Sequence, residues 1–327
     1  MVGNCAVALT QRAERVNLGG VDSPVPHDPR RGMIRALLFG LLLVLGGCGS
    51  QPAPPPPPKD ANPALWVVRD ADTTIYLFGT VHALKPNLSW FDSAVRKAFD
   101  ASGQLVLEIP LPTPEQAQKA IGPLAMDPTG PTLTQKLPEK SRAAYGAALA
   151  KLGVPAAALD RFEPWFAAVT MSQISLQKAG FSAADGAEMA LDAAAKAAGK
   201  PVIGLETLEQ QLGYFHTLPQ ADQIAFLLES VKDIDKFDTT INAMVDKWKA
   251  GDAEGLSKLM NDDLTGQANL YKVLLVDRNA RWADWIDARL KTPGTVFIAV
   301  GAGHLAGKDS VQAQLAKHRI VATRIRY

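Results

Sequence analysis

Two short phrases in this sequence place a histidine three residues after a glycine, each directly behind an apolar run. Phe78 leads into Gly79-Thr80-Val81-His82, and Val300 leads into Gly301-Ala302-Gly303-His304. Two more apolar runs end on a carboxylate, Leu107 before Glu108 and Leu205 before Glu206. Imidazole and carboxylate suit zinc, manganese, cobalt or iron where no thiolate is offered. A divalent metal (Mn, Co or Zn) held by such groups polarises a carbonyl or lowers the pKa of a bound water to about 7. A carboxylate left uncoordinated can then serve as general base. Each residue also has a plainer use. A lone histidine at a strand end is commonly a hydrogen-bonded structural residue, Glu108 can pair with an arginine, and Glu206 can cap a helix over 207–218. The repeated Gly-x-x-His form is what points to a shared site.

Arg278 is a further candidate. It follows Tyr271-Lys272-Val273-Leu274-Leu275-Val276-Asp277 and precedes Trp282 and Trp285, on what reads as one helix. A surface salt bridge to Asp277 or Asp284 would contribute little. A guanidinium reaching a cleft would instead hold a substrate carboxylate or a developing oxyanion. His216 and His318 sit in polar, helix-like contexts and are assigned nothing.

These residues need elements to bring them together. Strand-like runs occupy 65–68 and 74–78, with Asp70-Ala71-Asp72 between them as a hairpin turn. Phe91, Ala94, Val95, Ala98 and Phe99 fall at helical spacing, which predicts a helix over 89–102. Gln104-Leu105-Val106-Leu107 is a buried strand. Thr113-Pro114-Glu115-Gln116 carries the cap, first-turn proline and third-position glutamine of a helix start. An Ala-rich, mostly helical region then fills 113–250, interrupted by one strand at 201–205. A strand at 295–300 and an edge strand at 321–325 complete the pattern. The expected fold is α/β: a central mixed β-sheet packed by helices, with a mostly helical insertion at roughly 113–180. In open α/β sheets, residues just past the carboxyl ends of parallel strands gather at one edge. If the four strands run in the same sense, His82, Glu108, Glu206 and His304 meet there. Glycines beside both histidines permit close backbone approach.

The 327 residues are 47% apolar, enough for a sizeable core, and the formal net charge is only +1. No basic face for nucleic acid is implied. The two cysteines, Cys5 and Cys48, lie before the globular part, so neither a disulfide framework nor a thiolate site is expected in it. Residues 1–32 are polar and without apolar period, and read either as disordered or as lying upstream of the true start, with Met33 the better initiator. From Arg30, Arg31 and Arg35 the chain passes into Ala36-Leu37-Leu38-Phe39-Gly40-Leu41-Leu42-Leu43-Val44-Leu45, an h-region too short to span a bilayer. Leu45-Gly46-Gly47-Cys48 resembles a bacterial lipobox. The proline tract at 52–58 is expected as polyproline II, a spacer of about 3.1 Å per residue. The organisation expected is a signal segment over 1–47, lipidated Cys48 with a tether over 48–63, and one domain over 64–327. Gly49 after the cysteine favours, by resemblance to Gram-negative lipoproteins, the outer membrane.

The phrases themselves resemble the TraB/PrgY/GumN family. Thr74-Ile75-Tyr76-Leu77-Phe78-Gly79-Thr80-Val81-His82 is similar to its opening motif. Lys200-Pro201-Val202-Ile203-Gly204-Leu205-Glu206-Thr207 with Glu209-Gln210 is similar to the middle one. Arg278-Asn279, Trp282 and Val300-Gly301-Ala302-Gly303-His304-Leu305-Ala306-Gly307 resemble the last. The family includes the Tiki proteins, membrane-tethered proteases that depend on a divalent metal. The resemblance implies an active site containing His82, Glu108 and His304, with Glu206 and Arg278 nearby. Where the family pattern has Gly-x-Asp before the middle helix, this chain has Gly186-Ala187-Glu188. The function so implied is a lipid-anchored, metal-dependent peptidase on the periplasmic face of the envelope, acting on an extracytoplasmic polypeptide. His82, His304 and Glu108 would hold the metal, with Glu108, Glu206 and Arg278 in catalytic roles. Two other readings use the same cleft: a metal-free esterase-like hydrolase, and a non-enzymatic lipoprotein that captures a peptide or other ligand.

Overall fold

The computed structural model describes residues 61–262 and 267–327. The lipobox, the proline tract and the proposed start therefore lie outside the described residues. Six strands form one sheet: β1 (Leu65–Arg69), β2 (Thr73–Thr80), β3 (Gln104–Leu107), β4 (Val202–Gly204), β5 (Gly294–Gly301) and β6 (Thr323–Ile325), in the order β4-β3-β5-β2-β1-β6. β4, β3, β5 and β2 are mutually parallel, while β1 runs antiparallel to β2 and β6 to β1. The sheet is thus mixed, as the apolar pattern predicts. Central β5 is buried from Val296 to Gly301, the continuous apolar run of a strand covered on both faces. The β1–β2 turn is held by the Asp70 carboxylate, which accepts from the backbone N–H of Asp72 (3.1 Å) and Thr73 (2.8 Å).

Register decides where the chemistry goes. Thr80 pairs with Gly301, and Leu107 pairs with both Ala299 and Gly204. The residues that follow each of these strands consequently emerge at one edge of the sheet.

Helix α1 (Ser93–Ala101) buries Val95, Ala98 and Phe99 against the sheet, Phe99 meeting Phe297 edge-on at 5.8 Å. It begins later than the periodicity suggests. Trp90 instead stacks on Phe78 at 5.4 Å, so the preceding residues belong to the core and not to the helix.

The helical part departs from the expected single insertion. Between β3 and β4 lie α2 (Pro114–Ala125), α3 (Leu133–Lys136), α4 (Glu139–Leu152), α5 (Pro164–Lys178) and α6 (Ala187–Ala197). Between β4 and β5 lie α7 (Leu208–His216), α8 (Gln220–Lys232), α9 (Phe237–Lys249), α10 (Ala253–Asp262), α11 (Ala268–Tyr271), a π-helical turn at Lys272–Val276 and α12 (Asp277–Leu290). The two excursions share a core in which Leu149, Met171 and Leu227 pack together. The apolar face of α8 finds its partners on α4 and α5, so helices on both sides of β4 form one layer. The α2 start has the expected capping box: Thr113 accepts from Gln116 N–H, and the Gln116 side chain returns to Thr113 N–H. After β5, α13 (Val311–Lys317) closes against α12. Among the described residues no helix is long and apolar enough to cross a membrane.

Candidate active site

His304 sits in a short 3-10 turn (Ala302–Leu305) directly after β5, with its side chain almost wholly buried. Its Nδ1 lies 2.6 Å from Asn279 Oδ1. Asn279 Nδ2 donates to the Asp309 carbonyl at 2.7 Å, and because a carbonyl only accepts, this sets the amide orientation. His304 Nδ1 must then carry the proton, leaving Nε2 as an acceptor for Arg278 Nη1 at 3.2 Å. Burial, reinforced by the neighbouring guanidinium, lowers the His304 pKa from 6.5 to about 3, against the opposing pull of Glu108. The ring is neutral.

Arg278 organises the other side. The π turn before α12 rephases the helix so that Arg278 and Asn279 face inward; both are buried. Arg278 Nε reaches Glu206 Oε1 at 3.0 Å, while Nη2 reaches Glu206 Oε2 at 2.9 Å and Glu108 Oε2 at 2.6 Å. Glu206 also accepts from Trp282 Nε1 (3.1 Å) and Tyr214 OH (3.3 Å). Glu108 accepts from Gly301 N–H (2.7 Å) and Gln211 Nε2 (2.8 Å). Burial alone would push the Glu108 pKa up, but Arg278, both imidazoles and the Gly301 N–H hold it well below the usual carboxylate range. Glu108 is an ionised carboxylate at every physiological pH.

His82 closes the third side. Its Nδ1 lies 2.6 Å from Oε1 of Glu188, which also accepts from Thr80 Oγ1. Glu188 stands in the first turn of α6. It reaches His82 because Gly186 passes directly against the His82 carbonyl: a Cβ there would lie 2.3 Å from that oxygen. The Glu188 carboxyl is buried, which raises its pKa, yet the imidazole and its hydrogen bond lower it overall. The His82 side chain is 42% exposed, so its outer nitrogen is open to a ligand.

All three groups border the space over Gly301. A Cβ on that glycine would stand 3.1 Å from Glu108 Oε1, 3.5 Å from His82 Nε2 and 3.6 Å from His304 Cδ2, so the two imidazoles are within about 7 Å of each other. The space opens into a cavity of about 280 Å³ whose other walls include Leu176, Ile241, Met244, Leu256 and Met260.

The TraB/PrgY/gumN family model matches residues 64–324, a span that contains every residue of this cluster. The chain belongs to the TraB/PrgY/gumN family. Its relatives include the uncharacterized protein YbaP of Escherichia coli (strain K12), 24% identical over 257 residues that cover 77% of this chain and 92% of that protein. An uncharacterized protein of Treponema pallidum (strain Nichols) is 23% identical over 275 residues, 79% of this chain and 81% of its own. YbaP of Shigella flexneri is 24% identical over 257 residues. No solved structure matches.

Imidazole and carboxylate are donor types that suit a divalent ion, but an ion at this cluster would have to displace Arg278 Nη1 from His304 Nε2, 3.2 Å away. Both imidazoles have Nδ1 anchored by an acceptor behind them, as ligating histidines do. Glu108 Oε1 and His304 Nε2 are 3.9 Å apart. Two atoms each about 2.1 Å from one ion lie no more than about 4.2 Å apart. His82 stands further out, and among the described residues no three such side chains are gathered tightly enough to hold an ion without adjustment. Gly301 provides the cradle over which they would close.

The structure brings His82, Glu108, His304 and Arg278 to one cavity, and it changes the role of Glu206. Its oxygens are engaged by Arg278, Trp282 and Tyr214, and it lies behind the guanidinium, outside the cavity lining. It positions Arg278 and has no access to a substrate proton. Nor does it cap α7, a task done by Thr207 with Gln210. Asp277, a possible surface partner of Arg278, pairs with Lys272 instead. Sequence reasoning gave no role to Asn279 or Gln211. The adjacency of Asn279 to Arg278 was the available signal, whereas Gln211 carried none.

Proposed function

We propose that this chain is a metal-dependent hydrolase of the cell envelope that cleaves peptide bonds, tethered by lipid on Cys48. The observation that carries the catalytic part is the convergence of His82, Glu108 and His304 over Gly301, beside a buried arginine and at the floor of a cavity. A divalent ion bound there would supply a Lewis acid for the scissile carbonyl and a water with pKa near 7. The chain's own residues do the rest. Glu188 and Asn279 orient the two imidazoles so that both Nε2 atoms face inward. Gly301 N–H and Gln211 fix Glu108, whose firmly ionised carboxylate suits a ligand better than a proton acceptor, because a general base works best with a pKa near the working pH. Arg278 has its five N–H donors placed on Glu206, Glu108, His304 Nε2 and the Leu274 carbonyl, so it acts by holding Glu108 and the His304 ring in position and by its positive charge at the cavity wall.

One observation favours a second reading. The His82 imidazole already has a carboxylate partner at 2.6 Å, and His304 Nε2 already accepts from Arg278. That is the arrangement of a metal-free, esterase-like hydrolase in which His82 activates water. The protein should be dialysed against a chelator, then reloaded with Mn²⁺, Co²⁺ or Zn²⁺ singly and mixed with a diverse peptide library. Cleavage lost on chelation and restored by one ion supports the first reading. Ester hydrolysis untouched by chelation supports the second. Retention of an intact peptide with no turnover would replace both with a binding lipoprotein.

A further inference from the structure

A second space lies behind the apolar wall of the cavity at the site. Ile241 and Met244, on one face of α9, also line a second cavity of about 450 Å³ that runs between α5, α8 and α9. These side chains stand between the two spaces, which adjoin one another.

Most of the polar groups on the second cavity offer acceptors, with Lys236 and the Thr240 hydroxyl as donors. Ser172 Oγ donates to Ala168 O (3.0 Å), Ser175 Oγ to Met171 O (2.9 Å) and Ser230 Oγ to Phe226 O (3.1 Å). Each hydroxyl proton is committed to its own helix, so what these serines offer a ligand is lone pairs. Gln267 Oε1, also in the lining, is buried and has no hydrogen-bond partner among the described residues. A buried acceptor left in this way wants a donor. Asp233 adds a carboxylate that makes no ion pair among the described residues, and Glu229 adds another, paired with Lys232 at 2.6 Å. Lys236 is the cation on the lining among the described residues. Between these groups the walls are apolar, with Met171, Phe226 and Phe237 among them.

We propose that this groove is an extension of the site that binds an extended, donor-rich polypeptide segment. Backbone N–H groups meet the serine and glutamine acceptors, apolar side chains lie on the walls, and a basic side chain meets Asp233. An acyl chain would use the walls but leave every acceptor unpaired, whereas an extended peptide presents N–H groups along its length. The proposal rests on the peptidase reading for the reaction, but its own content is recognition, so it is tested by binding.

Calorimetry on the full chain should compare three probes: a decapeptide of leucine and alanine bearing one central lysine, the same peptide with glutamate at that position, and a leucine–alanine dipeptide amide too short to fill the groove. The lysine peptide is expected to bind about tenfold more tightly than the glutamate peptide, and Asp233→Lys to remove or invert that preference. Ser230→Trp, which fills the groove, should weaken the decapeptide by at least about tenfold while the dipeptide amide binds as before. Circular dichroism checks that both variants are folded, and Asp233→Lys changes only a partly exposed side chain. Equal binding of both decapeptides, or decapeptide binding unaffected by Ser230→Trp, would overturn the proposal, as would octanoate binding where no peptide binds. Binding in the expected pattern without cleavage would keep the groove and remove the peptidase reading. Cleavage indifferent to both variants would do the reverse.

Discussion

Arg278 carries the charge balance of the site. Its guanidinium is buried between two carboxylates and over the Trp282 ring at 4.7 Å. Removing it strands Glu108 and Glu206 in the interior, so Arg278→Ala is expected to cost about 3–5 kcal/mol, read as a lower urea midpoint. Arg278→Lys keeps the charge but loses the fork that spans both carboxylates. It should remain folded while peptide hydrolysis falls by about 10²–10³. Undiminished turnover in the lysine variant would show that Arg278 has no part in organising the catalytic groups. That Arg278 mattered was visible in the sequence only as a guanidinium between an apolar run and two tryptophans. Its partners were not visible, since Glu206 and Glu108 are 72 and 170 residues away. Glu206 looked like a catalytic carboxylate for the same reason: position after a strand tells where a side chain emerges, not what already occupies its oxygens.

Strands were the most legible elements. β2, β3 and β5 are apolar runs of the right length, and parallel register carries their ends to one edge. The helices were less legible. Alanine-rich amphipathic segments state that they pack, but the partners of α8 lie on α4 and α5, before β4. A single insertion ending near 180 was therefore too short. The π turn at Lys272–Val276, which aims Arg278 and Asn279, breaks no local pattern that the sequence displays. Gly186 is an element-level constraint that can be tested. Its missing Cβ lets the start of α6 touch the end of the β2 segment, with Ala187 N–H donating to Val81 O at 3.0 Å. Gly186→Ala should push α6 outward, cost about 1–3 kcal/mol and separate Glu188 from His82. Hydrolysis should fall more than stability accounts for, measured at a temperature where both proteins are folded. Equal activity would show that the His82–Glu188 contact is dispensable.

Acid stability is a property of the entire fold. His304 is held neutral with its pKa lowered from 6.5 to about 3, so between those values the unfolded chain binds a proton that the folded chain does not. The stability this contributes is complete above about pH 6.5 and is lost as pH falls towards 3. Glu108 and Glu188, both lowered from 4.5, add losses of the same sign below that value. In chelated protein the urea midpoint should drop from pH 7.5 to pH 5, and His304→Gln should shrink that drop. An identical drop in the variant would contradict the assignment of a neutral, buried His304. The address of the molecule is tested separately through Leu45-Gly46-Gly47-Cys48. Cys48→Ser is expected to release the protein from the membrane fraction, and a mature N-terminus without diacylglyceryl-cysteine by mass spectrometry would disprove the anchor.

Hydrolysis in the space over Gly301 is tested most directly at that glycine itself. Gly301 has φ −49° and ψ 133°, a conformation open to alanine, so a methyl group there need not strain the backbone. It would, however, occupy the point bordered by Glu108, His82 and His304. The measurement is the rate at which metal-loaded Gly301→Ala cleaves a peptide library, set beside wild type and followed by mass spectrometry. The variant is expected to fold and to cleave at a rate lower by at least about a hundredfold, comparable to losing a principal catalytic group. A folded variant that cleaves at the wild-type rate would place the chemistry elsewhere.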